Sequence, residues 1–200
     1  MDLKRHLETA WHLTLKNKSP LILITLALSL ILSVLPSFFA FISLPLLGVL
    51  SMCILGSVAL PGYIFSILQM IRNDRQPKIV DLLSQHQLFF PLSAFSIVMA
   101  ILVYIGFQIL FFPGIAVLCA LAFICLYMLP LMVDKKMGLI EAIKLSWKMA
   151  VTDNVADHWI IIILVIGLTT IGSSLIVGIL FTQPFATVFT LLVYNEKISR

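Results

Sequence analysis

The sequence predicts an all-α integral membrane protein with six transmembrane helices and three amphipathic helices on the cytoplasmic side. Hydrophobic residues make up 61% of the 200 residues and charged residues 11%, whereas soluble domains have about 45–50% apolar and 25% charged residues. The apolar residues form long uncharged runs, and the charged residues are confined to four segments between them. Because a soluble fold of this size leaves about a third of its surface exposed, it could not hide so much apolar surface.

The repeating unit of the predicted fold is an elbow, which we define as an amphipathic helix on the membrane surface that leads into a membrane-spanning helix. The first elbow covers residues 2–18. Its two faces carry apolar Leu3, Leu7, Ala10, Trp11, Thr14 and Leu15 on one side and Arg5, Glu8, His12 and Lys16 on the other. Such a basic helix with a Trp is typical of the headgroup region. The first span follows from Pro20, and an uncharged connection or kink is predicted from Pro36.

The second elbow is predicted at Lys78–Leu88, after the second span, Leu46 to about Ile71, and a polar loop. On a helical wheel Asp81 falls opposite the apolar face, so we expect it to face water. The third span follows, and the dipeptide Pro113-Gly114 predicts the turn after it. The fourth span is then Ile115–Val133.

The third elbow is predicted at Gly138–Thr152. Its polar residues fill a narrow strip, which predicts a helix wedged between the bundle and the interface; they are Glu141, Lys144, Lys148 and Thr152. Trp147 and Trp159 flank the elbow at headgroup depth. The uncharged residues 158–194 accommodate two more spans of about 18 residues each, with the turn inside Gly172–Gln183.

Charge placement predicts the topology. All thirteen Lys and Arg residues lie in segments 4–18, 72–78, 135–148 and 197–200, and the other connections carry no charge. With six spans every charged segment falls on one side, which the positive-inside rule assigns to the cytoplasm. We therefore predict one transmembrane domain, residues 1–200, in the bacterial inner membrane with both termini cytoplasmic. Its approximate repeats, each an elbow and a helical hairpin, are 1–73, 74–134 and 135–200.

The sequence carries no recognisable reaction chemistry. No charged residue lies within a predicted span, the four histidines all lie near the cytoplasmic interface, and no nucleophile, phosphate-binding or metal-binding motif is present. Cys53, Cys119 and Cys125 lie in apolar runs, which argues against a disulfide framework or a metal cluster. We therefore predict no catalytic residue, no cofactor and no metal. Acidic residues interleaved with the basic ones argue against nucleic-acid binding.

A pattern in the second half of the chain resembles a known group. It consists of a Pro-Gly turn, an apolar span ending near a Pro, an acidic-and-glycine loop, and then Glu-Ala and Ser-Trp. The residues are Pro113, Gly114, Pro130, Asp134, Gly138, Glu141, Ala142, Ser146 and Trp147. This pattern is similar to a broad group of bacterial inner-membrane proteins that includes the membrane domain of some glycerophosphodiester phosphodiesterases. The resemblance implies a six-helix bundle and no phosphodiesterase activity.

Two residues of this pattern have an expected physical role. Glu141, near the start of its helix, favours the helix dipole, and Ser146 is expected to hydrogen-bond a span. On this basis the chain is predicted to be a non-enzymatic protein that binds membrane lipids, anionic at the cytoplasmic face, or a membrane-protein partner, in envelope organisation or assembly. The alternatives are a small transporter or channel, for example as a homo-oligomer, and an accessory subunit of a membrane complex.

Overall fold

The fold was described from a computed structural model, which covers residues 3–109, 111–152, 155–174 and 178–199. These residues form helices and turns, with no strand among them. The helices are α1 (Leu3–Lys16), α2 (Lys18–Phe41), α3 (Pro45–Asn73), α4 (Phe89–Ile109), α5 (Phe111–Cys125), α6 (Met128–Lys135), α7 (Leu139–Thr152), α8 (Val155–Ser174) and α9 (Ile179–Ser199). Two short 3-10 turns, Ile79–Leu83 and His86–Leu88, lie between α3 and α4. The all-helical prediction is confirmed.

Among the residues that the structure describes, five helical segments are long and apolar enough to cross a membrane. They are Lys18–Phe41, Pro45–Asn73, Ile79–Gln108, Phe112–Lys135 and Val155–Ser174. Many large apolar side chains on these segments face outward, such as Val34 at 62% and Ile163 at 66% exposure. Exposure on this scale suits a hydrocarbon environment, since lipid solvates apolar side chains that water would exclude.

Helix α3 lies at the centre of the bundle. In its most apolar window 44% of residues are buried, against 11–28% for the other four spans. Its buried residues, such as Tyr63 and Ile67, pack with Leu21 and Ile24 of α2 and with Phe189 of α9 in one core cluster. The hydroxyls of Tyr63 and Thr25 are 3.0 Å apart, so the one polar tip of this core side chain is satisfied.

The chain folds as three tightly packed helical pairs, α2 with α3, α4 with α5, and α8 with α9. The first pair turns at Ile42–Leu44, with Ser43 in the left-handed region at φ 62°. Pro36 lies inside α2, so the turn comes at the far end of the predicted uncharged connection. Helix α8 ends at Ser174 and α9 begins at Ile179, both within the predicted interval Gly172–Gln183, while residues 175–177 between them lie outside the described residues.

The second predicted elbow differs from the structure. Residues 78–88 form two 3-10 turns and no α-helix, and Asp81 is buried where the wheel predicted it to face water. The reason is the set of donors around its carboxylate. Ser66 Oγ lies 2.9 Å, Arg75 Nη2 2.6 Å and the Lys78 backbone N–H nitrogen 3.1 Å from its oxygens. A carboxylate with this many donors is stable out of water.

The fourth predicted span also differs, in two places. Pro113 and Gly114 lie in the first turn of α5 and not in the connection before it. The span is then interrupted at Leu126–Tyr127, between α5 and α6. Pro130 explains this interruption, because it lacks an N–H and its ring would clash with the carbonyl of Leu126 four residues earlier. Residues 153–154, which follow the predicted third elbow, lie outside the described residues.

The approach of α3 to the 3-10 turns generates a first prediction. A Cβ atom at Gly62 would collide with the carbonyl oxygens of Asp81 and Leu82, which are backbone atoms that cannot rotate away. We expect Gly62→Ala to destabilise the protein by about 1–3 kcal/mol, the usual cost of overpacking. The measurement is the melting temperature in detergent micelles.

The matched control is Gly167→Ala in α8, where a Cβ would meet nothing within 4 Å. Because alanine favours helix over glycine, this variant should be neutral or slightly more stable. Equal melting temperatures for the two variants would contradict the close approach at Gly62.

Candidate functional site

Polar and charged side chains gather where the ends of several helices meet. Lys16, at the end of α1, pairs with Asp74 at 2.8 Å, and His6 pairs with Glu196 at 3.0 Å. These contacts bring the ends of α3 and α9 to the same end of the bundle as α1. We refer to this as the charged end of the bundle.

A hydrogen-bonded network at the charged end joins three helices. Arg72 of α3 binds both carboxylate oxygens of Asp134 in α6, with 3.0 Å from Nη2 to Oδ2. The hydroxyl of Tyr194 in α9 donates to the same Oδ2 at 2.8 Å, and Arg72 also donates to the amide oxygen of Asn195, at 2.5 Å from Nη2. The Asp134 side chain is 11% exposed, whereas both members of the Lys16–Asp74 pair are more than half exposed. Because it is bidentate and less exposed, the Arg72–Asp134 pair contributes more to stability than the Lys16–Asp74 pair.

The interruption between α5 and α6 is stabilised by side chains from two other helices. Ser146 of α7 donates its hydroxyl to the carbonyl of Ile124 at 2.5 Å and accepts the N–H of Tyr127 at 3.2 Å. His158 of α8 has Nε2 3.0 Å from the carbonyl oxygen of Phe123. Backbone groups released by a broken helix must find such partners, because the bilayer interior supplies no water.

His158 belongs to an aromatic and cationic cluster beside this break. It is 0% exposed, with its ring 4.5 Å from that of Phe123 and 5.4 Å from that of Tyr127. The ammonium of Lys197 lies 5.4 Å from the Tyr127 ring and donates to the carbonyl of Met149 at 2.9 Å. The sequence placed His158 at the interface; its burial depends on which side of α8 faces the bundle.

The residues of the family-like pattern separate into two groups. Ala142 and Ser146 are fully buried on one face of α7, while Glu141 in its first turn and Trp147 are exposed. Trp147 packs edge-on against Phe123 at 5.5 Å, so Ser146 and Trp147 meet at the helix break, and Ser146 makes the hydrogen bond expected of it.

Pro113 and Gly114 lie at the other end of α5, about 18 Å from Cys125 at 1.5 Å rise per residue. There Gly114 packs against the Phe107 ring and Gly106 of α4. The pattern therefore does not converge on a single site.

Clefts open between the helices in the described part of the chain. The larger, about 430 Å³, lies between α3, α4 and α6, and its lining is mostly apolar. The second, about 260 Å³, lies between α6, α8 and α9 and includes Gln183, Thr169, Thr187 and Thr190. Leu129 of α6 lines both clefts. In the part of the chain that the structure describes, no group of three or more His, Cys, Asp or Glu side chains could hold a metal ion.

The hydrogen bonds of Ser146 generate a second prediction. Ser146→Ala leaves the Ile124 carbonyl and the Tyr127 N–H unpaired in a buried position, which should cost about 1–3 kcal/mol. Glu141→Ala should cost less, about 0.3–1 kcal/mol, since Glu141 is exposed and acts only through the helix dipole. Thermal melting in detergent micelles measures both effects.

Ser173→Ala is the matched control, because Ser173 is an exposed helical serine whose hydroxyl bonds only the Thr170 carbonyl of its own helix. It should leave the melting temperature unchanged. If Ser146→Ala melts like this control, the helix break does not depend on Ser146.

Comparison with known proteins adds no identity to this geometry: no protein-family model, no curated protein and no solved structure matches the chain.

Proposed function

We propose that the chain is a non-enzymatic bacterial inner-membrane protein that binds anionic phospholipid headgroups at its charged end and serves envelope organisation or assembly. One observation carries this proposal. Several basic side chains of the charged segments are exposed and make no ion pair among the described residues; they are Lys4, Lys18, Lys78, Lys136, Lys144 and Lys148. Each exposed basic residue near an anionic leaflet contributes about 1 kcal/mol of attraction.

The proposal includes six spans with both termini in the cytoplasm, which makes α9 the sixth. Its 21 residues extend over about 31 Å, enough to cross a hydrocarbon core. It packs along α8, and its hydrogen bond from Tyr194 to Asp134 returns its end to the charged end. Its composition is more polar, and its partly buried Gln183, Thr187 and Thr190 line the cleft between α6, α8 and α9; polar side chains between helices are usual in membrane bundles.

We also propose the threefold repeat of elbow and hairpin. The packing of the three elbow segments supports it. Helix α1 packs on α9, the 3-10 turns pack on α3, and α7 packs on α5 and α6. Each elbow segment thus contacts the returning helix of the preceding repeat, in cyclic order. The Arg72–Asp134–Tyr194 network then joins the ends of the three returning helices.

The topology generates a third prediction. A reporter that is active only in the cytoplasm, fused after Arg200, should be active, and a reporter that needs the periplasm should be silent at that position. The opposite result is expected when the fusion is made at Ile42–Leu44, in the turn between α2 and α3. Activity of the periplasmic reporter at the C-terminus would show that α9 does not cross the membrane as proposed.

The basic face generates a fourth prediction. In detergent micelles, added phosphatidylglycerol should raise the melting temperature more than phosphatidylcholine, because a ligand that binds the folded state stabilises it by mass action. Lys144→Gln combined with Lys148→Gln should reduce this difference, and added salt should reduce it further.

The matched control is Lys144→Arg combined with Lys148→Arg, which keeps both charges and should retain the difference. Equal stabilisation by the two lipids in the unmodified protein would refute anionic-lipid binding.

A transporter is the second candidate, favoured by the interrupted α5–α6 segment beside the partly polar 260 Å³ cleft. Interrupted helices line the substrate sites of many secondary transporters. In this protein, however, the carbonyl oxygens of Ile124 and Phe123 at the interruption already accept hydrogen bonds from Ser146 and His158, so they are not open to a solute. Uptake of labelled solutes or ions into proteoliposomes, compared with empty vesicles, separates this candidate from lipid binding.

A further inference from the structure

The 430 Å³ cleft between α3, α4 and α6 has the position and chemistry of a lipid site. Its lining contains two hydroxyl residues, Ser57 and Ser96, and the Ser57 hydroxyl already donates to the carbonyl of Cys53 at 2.6 Å. The remaining lining is carbon- and sulfur-rich, so water gains few hydrogen bonds there. The cleft lies along segments apolar enough to cross a membrane, and lipid chains are therefore the molecules that reach it.

The dimensions of the cleft match one lipid leaflet. On α3 its lining runs from Val49 to Pro61, about 18 Å by helix rise, and on α4 from Leu92 to Ala100, about 12 Å. One leaflet of a hydrocarbon core is about 15 Å thick. Leu92 lies one turn after the start of α4, so the cleft begins just below the 3-10 turns, which pack against α3 at Gly62.

The residue before the 3-10 turns is a partner for the phosphate of such a lipid. Lys78, which precedes the 3-10 turns, is exposed and has no ion pair among the described residues. An acyl chain in the cleft places its headgroup at the depth of these turns. A phosphate group there would meet a cation that no described carboxylate neutralises.

We propose that this cleft binds one acyl chain of a phospholipid from the leaflet at the charged end, with Lys78 attracting its phosphate. The inference deepens the proposed lipid-binding function and rests on it for the headgroup. The proposed function attributes binding to the general attraction of the basic face, whereas this inference assigns a defined binding site to the acyl chain. A lipid bound at this site is distinct from the lipids that merely surround the bundle.

The test uses the full chain in vesicles that contain a phosphatidylcholine or a phosphatidylglycerol with a photoactivatable group on its acyl chain. Crosslinked residues are mapped by mass spectrometry after illumination. We expect crosslinks concentrated on cleft residues such as Met52 and Phe95, with both headgroups. Crosslinks spread evenly between the cleft and the exposed face of α4 around Ala94 would overturn the proposal.

Two variants fill the cleft from α4, namely Ala100→Phe and, independently, Ser96→Phe. Either one that still melts cooperatively should reduce crosslinking at Met52 to the level found around Ala94. Ala94→Phe is the matched control on the same helix, because Ala94 is exposed and does not line the cleft; it should leave the crosslinks at Met52 unchanged.

Lys78→Gln separates the two parts of the proposal. It should lower the yield obtained with phosphatidylglycerol and leave the position of the crosslinks the same, whereas a yield that does not change would remove Lys78 from the site. If the cleft is not labelled although phosphatidylglycerol still raises the melting temperature, the acyl-chain site fails and headgroup binding by the basic face stands.

Discussion

The carboxylate of Asp134 determines how the charged end of this protein is held together. It accepts hydrogen bonds from Arg72 of α3 and Tyr194 of α9 while belonging to α6 itself. Three helices that are far apart in sequence therefore end at the same point. Arg72 also reaches Asn195, which adds a second contact between α3 and α9. Without this carboxylate a guanidinium and a phenol at the bundle end would lose their common acceptor, and the returning helices would lose their shared anchor.

A second constraint acts deeper in the bundle, where each backbone polar group needs a partner inside the protein. Pro130 removes one helical hydrogen bond, and the chain responds by ending α5 and starting α6 anew. The released groups are bonded by Ser146 and His158, which come from the two following helices. The position of α7 against the bundle is thereby fixed by specific hydrogen bonds as well as by the small buried face of Ala142 and Ala150.

The helices could be predicted from the sequence because hydrocarbon imposes a simple rule on composition, and the long uncharged runs correspond to helices. The predictions that proved wrong concern features that depend on contacts between residues distant in sequence. Asp81 has the polarity of a surface residue. Its burial becomes possible through Ser66, fifteen residues earlier on α3, together with Arg75 and the N–H of Lys78. Pro113-Gly114 is read locally as a turn, yet both residues fit a first helical turn packed against α4.

The candidate site likewise contains residues whose role could be predicted from the sequence and residues whose role could not. Ser146 was identified from its place in the family-like pattern, and its partner groups follow from the break at Pro130, a residue within that pattern. Arg72 and Asn195 carried no signal of their own, since each is an ordinary residue near the end of an apolar run. The burial of His158 could not be predicted either, because helix α8 has no distinct polar face and its sequence does not indicate which side is inside.

The polar composition of α9 has a consequence for how the protein is made. A segment that reaches the translocon with Gln183, several threonines and Pro184 gains little free energy by entering lipid alone. Its partner α8 is strongly apolar and packs against it. If α9 crosses the membrane as proposed, it enters together with α8 as a helical hairpin. The buried face of α9 then packs against α2 and α3, which are already in the membrane. The order of synthesis then matters for assembly: the last span depends on the earlier ones being in place.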